Sequence, residues 1–308
     1  MHERILDFST TPAKLSYRYR QLVIRREEAE PTSVPMEDIA AVIVSHPQIS
    51  FTQAVLAGLS EAGAVFISCD QRHLPVAMAV PLVAHHVQTV RLAKQAEATL
   101  PTKKRLWKQT IQEKILAQSR ALIEITGDDA GLEKLAAQVK SGDQTNVEAQ
   151  AARRYWQRFF QNCNAPPEAL GRKQEGEDRV NLFLNYGYSI LRAIVARAIV
   201  ATGLHPSLGI HHHNKYNPYC LADDLMEPFR PSVDLAVFRT LEFFDPSYDT
   251  LEPEVKEHLL AFLTGRYEMA DGLRTLFEAA AKLAQSLSQV FEGRVRQLHF
   301  PGAICYAP

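Results

Sequence analysis

The densest run of chemically capable side chains spans residues 211–231, HHHNKYNPYCLADDLMEPFRP. Three consecutive histidines precede a stretch that carries Asp223, Asp224 and Glu227. On a helix, Asp224 and Glu227 (i, i+3) or Asp223 and Glu227 (i, i+4) share a face. Like charges so placed repel unless something positive sits between them. A divalent cation would supply that charge, and so would Arg230 through an ordinary ion pair. Neighbouring side chains point apart, so one histidine acting as a ligand fits this loop better than a three-histidine zinc cage. Cys220, a lone thiol, reads more readily as a small buried residue than as a zinc ligand. Pro228 disfavours helical geometry at the residue before it, which puts Glu227 at the end or kink of its helix. That end is the negative pole of the helix dipole, where extra anions are unwelcome without a cation. Relief of repulsion with Asp224 is therefore expected to make Glu227→Gln more stable than the parent in the absence of metal.

A second candidate is NVEAQAARRYW at 146–156. Small residues surround Glu148 and let its helix approach a neighbour closely; the alternative is a surface helix whose charges are solvated. Arg153 and Arg154 follow on the same segment. A third feature lies between Pro101 and Ile125, where Lys103, Lys104, Arg105, Lys108, Lys114 and Arg120 face only Glu113 and Glu124, a local net charge of +4. Phosphate contacts could use that charge, or it is a solvated helix face. The sequence contains no Walker A loop, no G-x-G-x-x-G, no G-x-S-x-G and no H-E-x-x-H.

The elements that must position these residues have two textures. Residues 1–80 read as short strands over Arg4–Phe8, Lys14–Tyr19 and Gln21–Arg26, with turns at Pro31 and Pro35. Two continuous apolar runs, Ile39–Ser45 and Ala64–Cys69, have the composition of buried strands, and Thr52–Ala62 has helical spacing between them. Val76–Ala84 reads as core or interdomain packing. Helical periodicity takes over from His86: a long helix opened by Pro101 and running to Ile125, Val147–Phe160 with Asn146 as N-cap, and Asp178–Thr202 closed by Gly203. Residues 162–177 read as an exposed loop. A helix around Ala222, broken at Pro228 and Pro231, precedes three more at 232–244, 252–264 and 268–293, and the tail from Leu298 reads as irregular. The expected fold class is α+β: an N-terminal β-rich domain (1–80), a linker (81–90) and a larger all-α catalytic domain (91–308).

Bulk composition sets the outer limits. The 308 residues are 46% apolar and 22% charged, which suits a packed globular chain and argues against wholesale disorder. The net charge of −1 does not by itself announce a nucleic-acid binder, so local distribution decides. The four cysteines form no C-x-x-C motif and no disulfide framework. No secretory h-region and no membrane-length apolar run is present, so a cytoplasmic protein without a membrane partner is expected.

Taken together, the two acidic segments resemble the CRISPR-associated protein 1 family, the integrase that inserts new spacers into CRISPR arrays. The resemblance rests on NVEAQAARRYW at 146–156, GIHH at 209–212 and LADDLMEPFRP at 221–231, which match a glutamate helix, a Gly-x-x-His and a closing acidic helix. KLSYRYRQLVI, VPMEDIAAVIVS and AVFISCDQRHLP are similar to the family's N-terminal strands, and the wording at 217–231 is most like type II members. The resemblance implies that Glu148, His212 and Glu227 are catalytic metal ligands, with Asp224 the assisting acid. His212 stands three residues after Gly209, although the family's single histidine is here one of three. The resemblance further implies Mg²⁺ or Mn²⁺, a transesterification in which a DNA 3′-hydroxyl attacks, double-stranded DNA substrates (prespacer and CRISPR repeat), a homodimer, and a CRISPR-associated protein 2 dimer as partner. Two carboxylates and one imidazole suit such an ion. Lys103, Lys104, Arg105, Lys108, Arg153 and Arg154 are the candidate DNA contacts. The rival readings are a non-catalytic DNA-binding adaptor, whose acidic cluster is an ion-pair network, and a zinc-dependent hydrolase using the histidine run.

Overall fold

The apolar runs at 39–44 and 65–69 are continuous because both of their faces are covered. The computed structural model describes residues 4–27, 29–82, 85–163, 171–173, 176, 178–263 and 265–305, so most of the expected loop at 162–177 lies outside the described residues. Its N-terminal part comprises β1 (Arg4–Phe8), β2 (Lys14–Arg18), β3 (Gln21–Arg26), β4 (Ala29–Pro35), β5 (Ile39–Val44), β6 (Ser50–Phe51), α1 (Gln53–Glu61), β7 (Val65–Cys69) and β8 (Pro75–Ala79). One sheet has the order β1-β5-β7-β8, with β1, β5 and β7 parallel and β8 antiparallel; the other has the order β4-β3-β2-β6. Along β5 and β7, Ala41, Ile43, Val65 and Ile67 join the core of the helical part. Val42 and Phe66, one pleat away, join a second core with Leu15, Leu22 and Leu59. Period-two alternation thus serves two apolar layers at once, which removes the polar positions a one-sided strand would show. Packing consequently crosses the expected boundary at 81–90.

Two of the strands that the sequence did not show are marked by proline. β4 contains Pro31 and ends at Pro35, and β8 begins at Pro75. Both strands are sheet edges, where proline's missing N–H costs no ladder bond.

The helical part runs through α2 (Gln88–Ala96), α3 (Leu100–Thr126), α4 (Leu132–Ala136), α5 (Val147–Asn162), α6 (Arg179–Ala201), α7 (Cys220–Met226), α8 (Arg230–Phe243), α9 (Pro253–Leu263) and α10 (Leu276–Phe291). α6 is buried on nearly all sides and forms its axis. Gly187 lets α8 approach that axis, since a side-chain carbon there would come within 2.5 Å of Val233 Cγ1. The expected helix at 268–293 starts instead at Leu276, behind a hairpin of β9 (Arg266–Met269) and β10 (Gly272–Thr275), with β11 (Ile304–Cys305) pairing on β9. The hairpin signal was Asp271-Gly272, with Gly272 at φ 111°. None of the helices of the described residues is long and apolar enough to cross a membrane.

Candidate functional site

α3, α5 and the α7–α8 junction meet at a cluster of four charges. Lys114, from the middle of α3, donates to Glu148 Oε1 at 2.6 Å, and its Nζ also lies 2.6 Å from Glu227 Oε2. Arg230 Nε stands 3.5 Å from the other oxygen of Glu227. The Glu227 side chain is only 7% exposed, so these cations are its charge partners rather than ornaments on a solvated surface. Burial pushes the Glu227 carboxyl up, but Arg230 and Lys114 more than reverse this and hold it below the ordinary range. Burial likewise pushes the Lys114 ammonium down, and Glu227 and Glu148 more than restore it.

Each member of the cluster is aimed by its own local structure. Glu148 sits in the first turn of α5, where a carboxylate is favoured by the helix dipole. The expected N-cap, Asn146, lies in the left-handed region at φ 53° and makes no capping bond; Asp143 caps this end instead, accepting from the Val147 and Glu148 N–H groups at 2.9 and 3.0 Å. Glu227 follows the last residue of α7, as expected from Pro228. It nevertheless keeps helical dihedrals (φ −53°, ψ −43°) and opens a single 3-10 turn, Glu227–Phe229, that leads directly into α8. Arg230 stacks on Tyr188 of α6 at 4.6 Å. Tyr188 donates to Asp234, which also accepts from Tyr155 of α5 at 2.7 Å. Burial raises the Asp234 carboxyl from 3.8 to about 6, with the two tyrosine hydroxyls opposing the rise.

The histidine loop is built around Asp224. This fully buried carboxylate accepts from the N–H of Ile210, His211 and His212 at 2.6, 2.9 and 3.2 Å and pairs with His212 Nδ1 at 2.7 Å. Gly209 makes the fold-back possible, because a side-chain carbon there would collide with the His212 carbonyl and lie 2.9 Å from Asp224 Oδ2. Gln95 of α2 clamps the chain just upstream, donating to the carbonyls of His205 and Leu208 and accepting from the His205 N–H. The three histidines then part company. His211 stacks on Trp107 of α3 at 4.1 Å, and burial lowers its basicity. His213 is exposed and turns Nδ1 to the His211 carbonyl. His212 is held at Nδ1, since a carboxylate can only accept, and its other ring nitrogen is left for a ligand role. The bond to Asp224 raises its basicity against the effect of burial.

The sequence expectations therefore divide. Glu148 and Glu227 are brought together. Asp224 is not a third oxygen at the same point, because both its oxygens are engaged with the loop. Each carboxylate instead has its own partners: Asp224 faces N–H donors, and Glu227 faces Lys114 and Arg230. Among the described residues no three His, Cys, Asp or Glu side chains converge as a ligand set; the carboxylates converge on Lys114. A place where two carboxylate oxygens each approach one cationic nitrogen at 2.6 Å is nonetheless a place that a hard cation fits, and the donor chemistry agrees. Lys114 was counted in the basic stretch and its role was missed. The available signal was its spacing, seven residues after Trp107 on one helical stripe. Arg120 pairs with Glu113 at 2.6 Å. Lys103, Lys104, Arg105 and Lys108 make no ion pair among the described residues. Arg153 and Arg154 are exposed on a different side of α5 from Glu148.

Residues 8–243 match the family of the CRISPR associated protein Cas1. The chain belongs to the Cas1 family. It is 36% identical to the CRISPR-associated endonuclease Cas1 of Neisseria meningitidis serogroup C (strain 8013), over 94% of this chain and 92% of that one. Among solved structures, a casposase bound to its integration product superposes with a TM-score of 0.78 at 20% identity, covering 96% of this chain and 93% of that one. A Cas6-RT-Cas1–Cas2 complex gives 0.76 at 17% identity, covering 97% of this chain and 36% of that one. At those identities the structural likeness shows the fold alone, and it covers both halves of the chain.

Two outcomes follow for this Cas1 chain. Glu227→Gln should melt lower than wild type in EDTA, by about 3 kcal/mol at the midpoint, because it leaves Lys114 and Arg230 without their shared anion; a higher melting point would restore the repulsion reading. Asp234 binds its proton more tightly folded than unfolded, so its contribution is full in acid and is lost as pH rises from about 4 through about 6. The pH dependence of the melting temperature should therefore differ between wild type and Asp234→Asn across that window. Parallel curves would remove Asp234 from the account.

Proposed function

We propose that this protein is a divalent-metal-dependent DNA integrase and endonuclease of CRISPR spacer acquisition. The observation that carries the reading is the meeting of Glu148 and Glu227, from separate helices, on one cationic point, beside a histidine whose Nδ1 is already engaged. The name of the Neisseria relative, an endonuclease, and the casposase neighbour bound to an integration product support the reaction class.

In this reading Glu148 and Glu227 hold Mg²⁺ or Mn²⁺, with His212 completing the set. When bound, the ion supplies Lewis-acid polarisation of the phosphodiester and stabilises charge during in-line displacement. Asp224 fixes the His212 ring and Gly209 gives the loop room to reach it. Arg230, propped on Tyr188, keeps Glu227 turned toward the site. The incoming DNA 3′-hydroxyl forms a new P–O bond as the target strand's P–O3′ bond breaks, and the departing oxygen leaves as a 3′-hydroxyl; with water as nucleophile the same site cuts DNA. Lys103, on the stripe of Trp107 and Lys114, and its neighbours Lys104, Arg105 and Lys108 lie within about 16 Å of Lys114 along the α3 axis, close enough to hold the flanking phosphates. Double-stranded DNA, a second copy of this chain and CRISPR-associated protein 2 are the proposed partners, the last two following from the family and from the Cas1–Cas2 complex among the neighbours. A cytoplasmic location accompanies this reading.

The adaptor reading retains one observation in its favour, the Lys114 bridge itself, which a metal-free scaffold would also have. The zinc reading has none. The histidines diverge, and the Cys220 thiol contacts the carbonyl of Asn217 at 3.3 Å.

Strand transfer into a CRISPR-repeat plasmid with Mn²⁺ separates the two that remain. Glu148→Ala, His212→Ala and Glu227→Ala should each abolish it, Asp224→Asn should weaken metal affinity by about 10–100-fold, and His211→Ala and His213→Ala should be milder. No transfer by wild type under any divalent metal would leave the adaptor. Neutralising Lys103, Lys104, Arg105 and Lys108 together should weaken DNA binding for all sequences and flatten its salt dependence, because fewer counterions are released. An unchanged salt slope would assign that face to solvent.

A further inference from the structure

We propose that Lys114 is a built-in placeholder for the divalent ion: it holds Glu148 and Glu227 until metal and DNA arrive together, and then yields them. The inference rests on the metal reading above. Its basis is a coincidence of place, since the two carboxylates that reading assigns to the ion are the same two that Lys114 bridges at 2.6 Å each.

Charge bookkeeping within the cluster gives the exchange a direction. Glu148 and Glu227 carry −2 and Lys114 and Arg230 carry +2, so these four side chains together are neutral, with the Glu227 carboxylate deep in the protein. A divalent ion entering alone would raise the site to +2 and would have to displace an ammonium from both of its anions. Among the described residues, the anions that pair with Lys114 are these two carboxylates. A scissile phosphodiester supplies the missing anion. It carries −1 in the ground state and gains a further negative charge as the attacking oxygen adds, which matches the +2 left when Lys114 stays beside the loaded ion. Lysine suits such a role better than arginine. Its ammonium is a compact point charge on a flexible four-carbon stem, whereas a guanidinium would lock a carboxylate in a planar fork. The stem has somewhere to go as well, because Lys114 shares its helical stripe with Lys103 and Trp107, on the side of α3 that leads from the buried cluster to the basic end of the helix.

Two consequences separate this role from a merely structural ion pair. Metal affinity in the DNA-free protein is held down by the lysine, and metal and DNA bind with positive coupling that passes through residue 114. Such a device keeps the chain from acting as a free nuclease when no DNA end is seated.

The experiment measures Mn²⁺ binding by the electron paramagnetic resonance signal of the free ion. It uses the full chain, with and without a short DNA duplex of CRISPR-repeat sequence, for wild type, Lys114→Met and Lys114→Gln. Melting in EDTA reports the fold of each variant, and Lys114→Gln keeps a hydrogen-bond donor should the methionine variant fail to fold. Wild type should bind Mn²⁺ about tenfold more tightly with DNA than without. The variants should bind it about tenfold more tightly than wild type in the absence of DNA and gain less from adding the duplex. A folded variant whose Mn²⁺ affinity equals that of wild type, with coupling to DNA unchanged, overturns the placeholder while leaving the metal site standing. Equal Mn²⁺ affinity of wild type with and without DNA overturns the coupling even if neither variant folds. Absence of Mn²⁺ binding by wild type in both conditions overturns the metal reading and the placeholder with it.

Discussion

The Glu227 carboxylate is almost wholly removed from water, and much of the helical architecture around it follows from that fact. A buried carboxylate without positive partners is too costly to keep, so cations must be carried to it. One comes from α3, as Lys114, and one from the start of α8, as Arg230. Lys114 in turn gathers Glu148 from α5. Three parts of the chain far apart in sequence, α3, α5 and the α7–α8 junction, are thereby tied to one point a few ångströms across. The strain of that arrangement is limited because the charges balance and because each has a neighbour that fixes its direction.

The supporting contacts fall into two sets with different tasks. Asp234 holds Tyr155 and Tyr188, and Tyr188 forms the platform under Arg230, so the rigidity of the α5–α6–α8 packing reaches Glu227 through an aromatic ring. Asp224 does the corresponding work for the histidine loop. It gathers three consecutive backbone N–H groups and one ring nitrogen, which converts a flexible turn into a fixed one. The two acids that the sequence places one helical turn apart, Asp224 and Glu227, therefore act on different partners. One organises a loop and the other faces Lys114 and Arg230.

Membership of the Cas1 family gives this architecture its setting. The fold brings a neutral, largely buried charge cluster to the middle of a helix whose N-terminal half is basic. Phosphate held along that helix would approach the cluster with its own charge as the only surplus anion. The net charge of −1 for the whole chain conceals this local asymmetry.

Local pattern alone determined a good deal. The central strands were legible from continuous apolar runs, the long helices from their periodicity and stop signals, and the 211–231 stretch from its density of ligand-type residues, whereas Glu148, His212 and Glu227 were singled out by the resemblance. The pairing of Glu148 with Glu227 was an implication of resemblance; its geometry came from three helices packing. Edge strands β4 and β8 were hidden because proline is tolerated only where a strand has a free side, and whether a strand is an edge is decided by tertiary order. The β9–β10 hairpin was masked by the helical texture around it. The choice among His211, His212 and His213 could not be made by composition, since three identical side chains differ only in what they face: Trp107, Asp224 or solvent. Lys114 was the largest reversal. In the sequence it was one of six cations on a helix, and in the structure its place on the buried stripe of α3 puts its ammonium between two carboxylates, 2.6 Å from each.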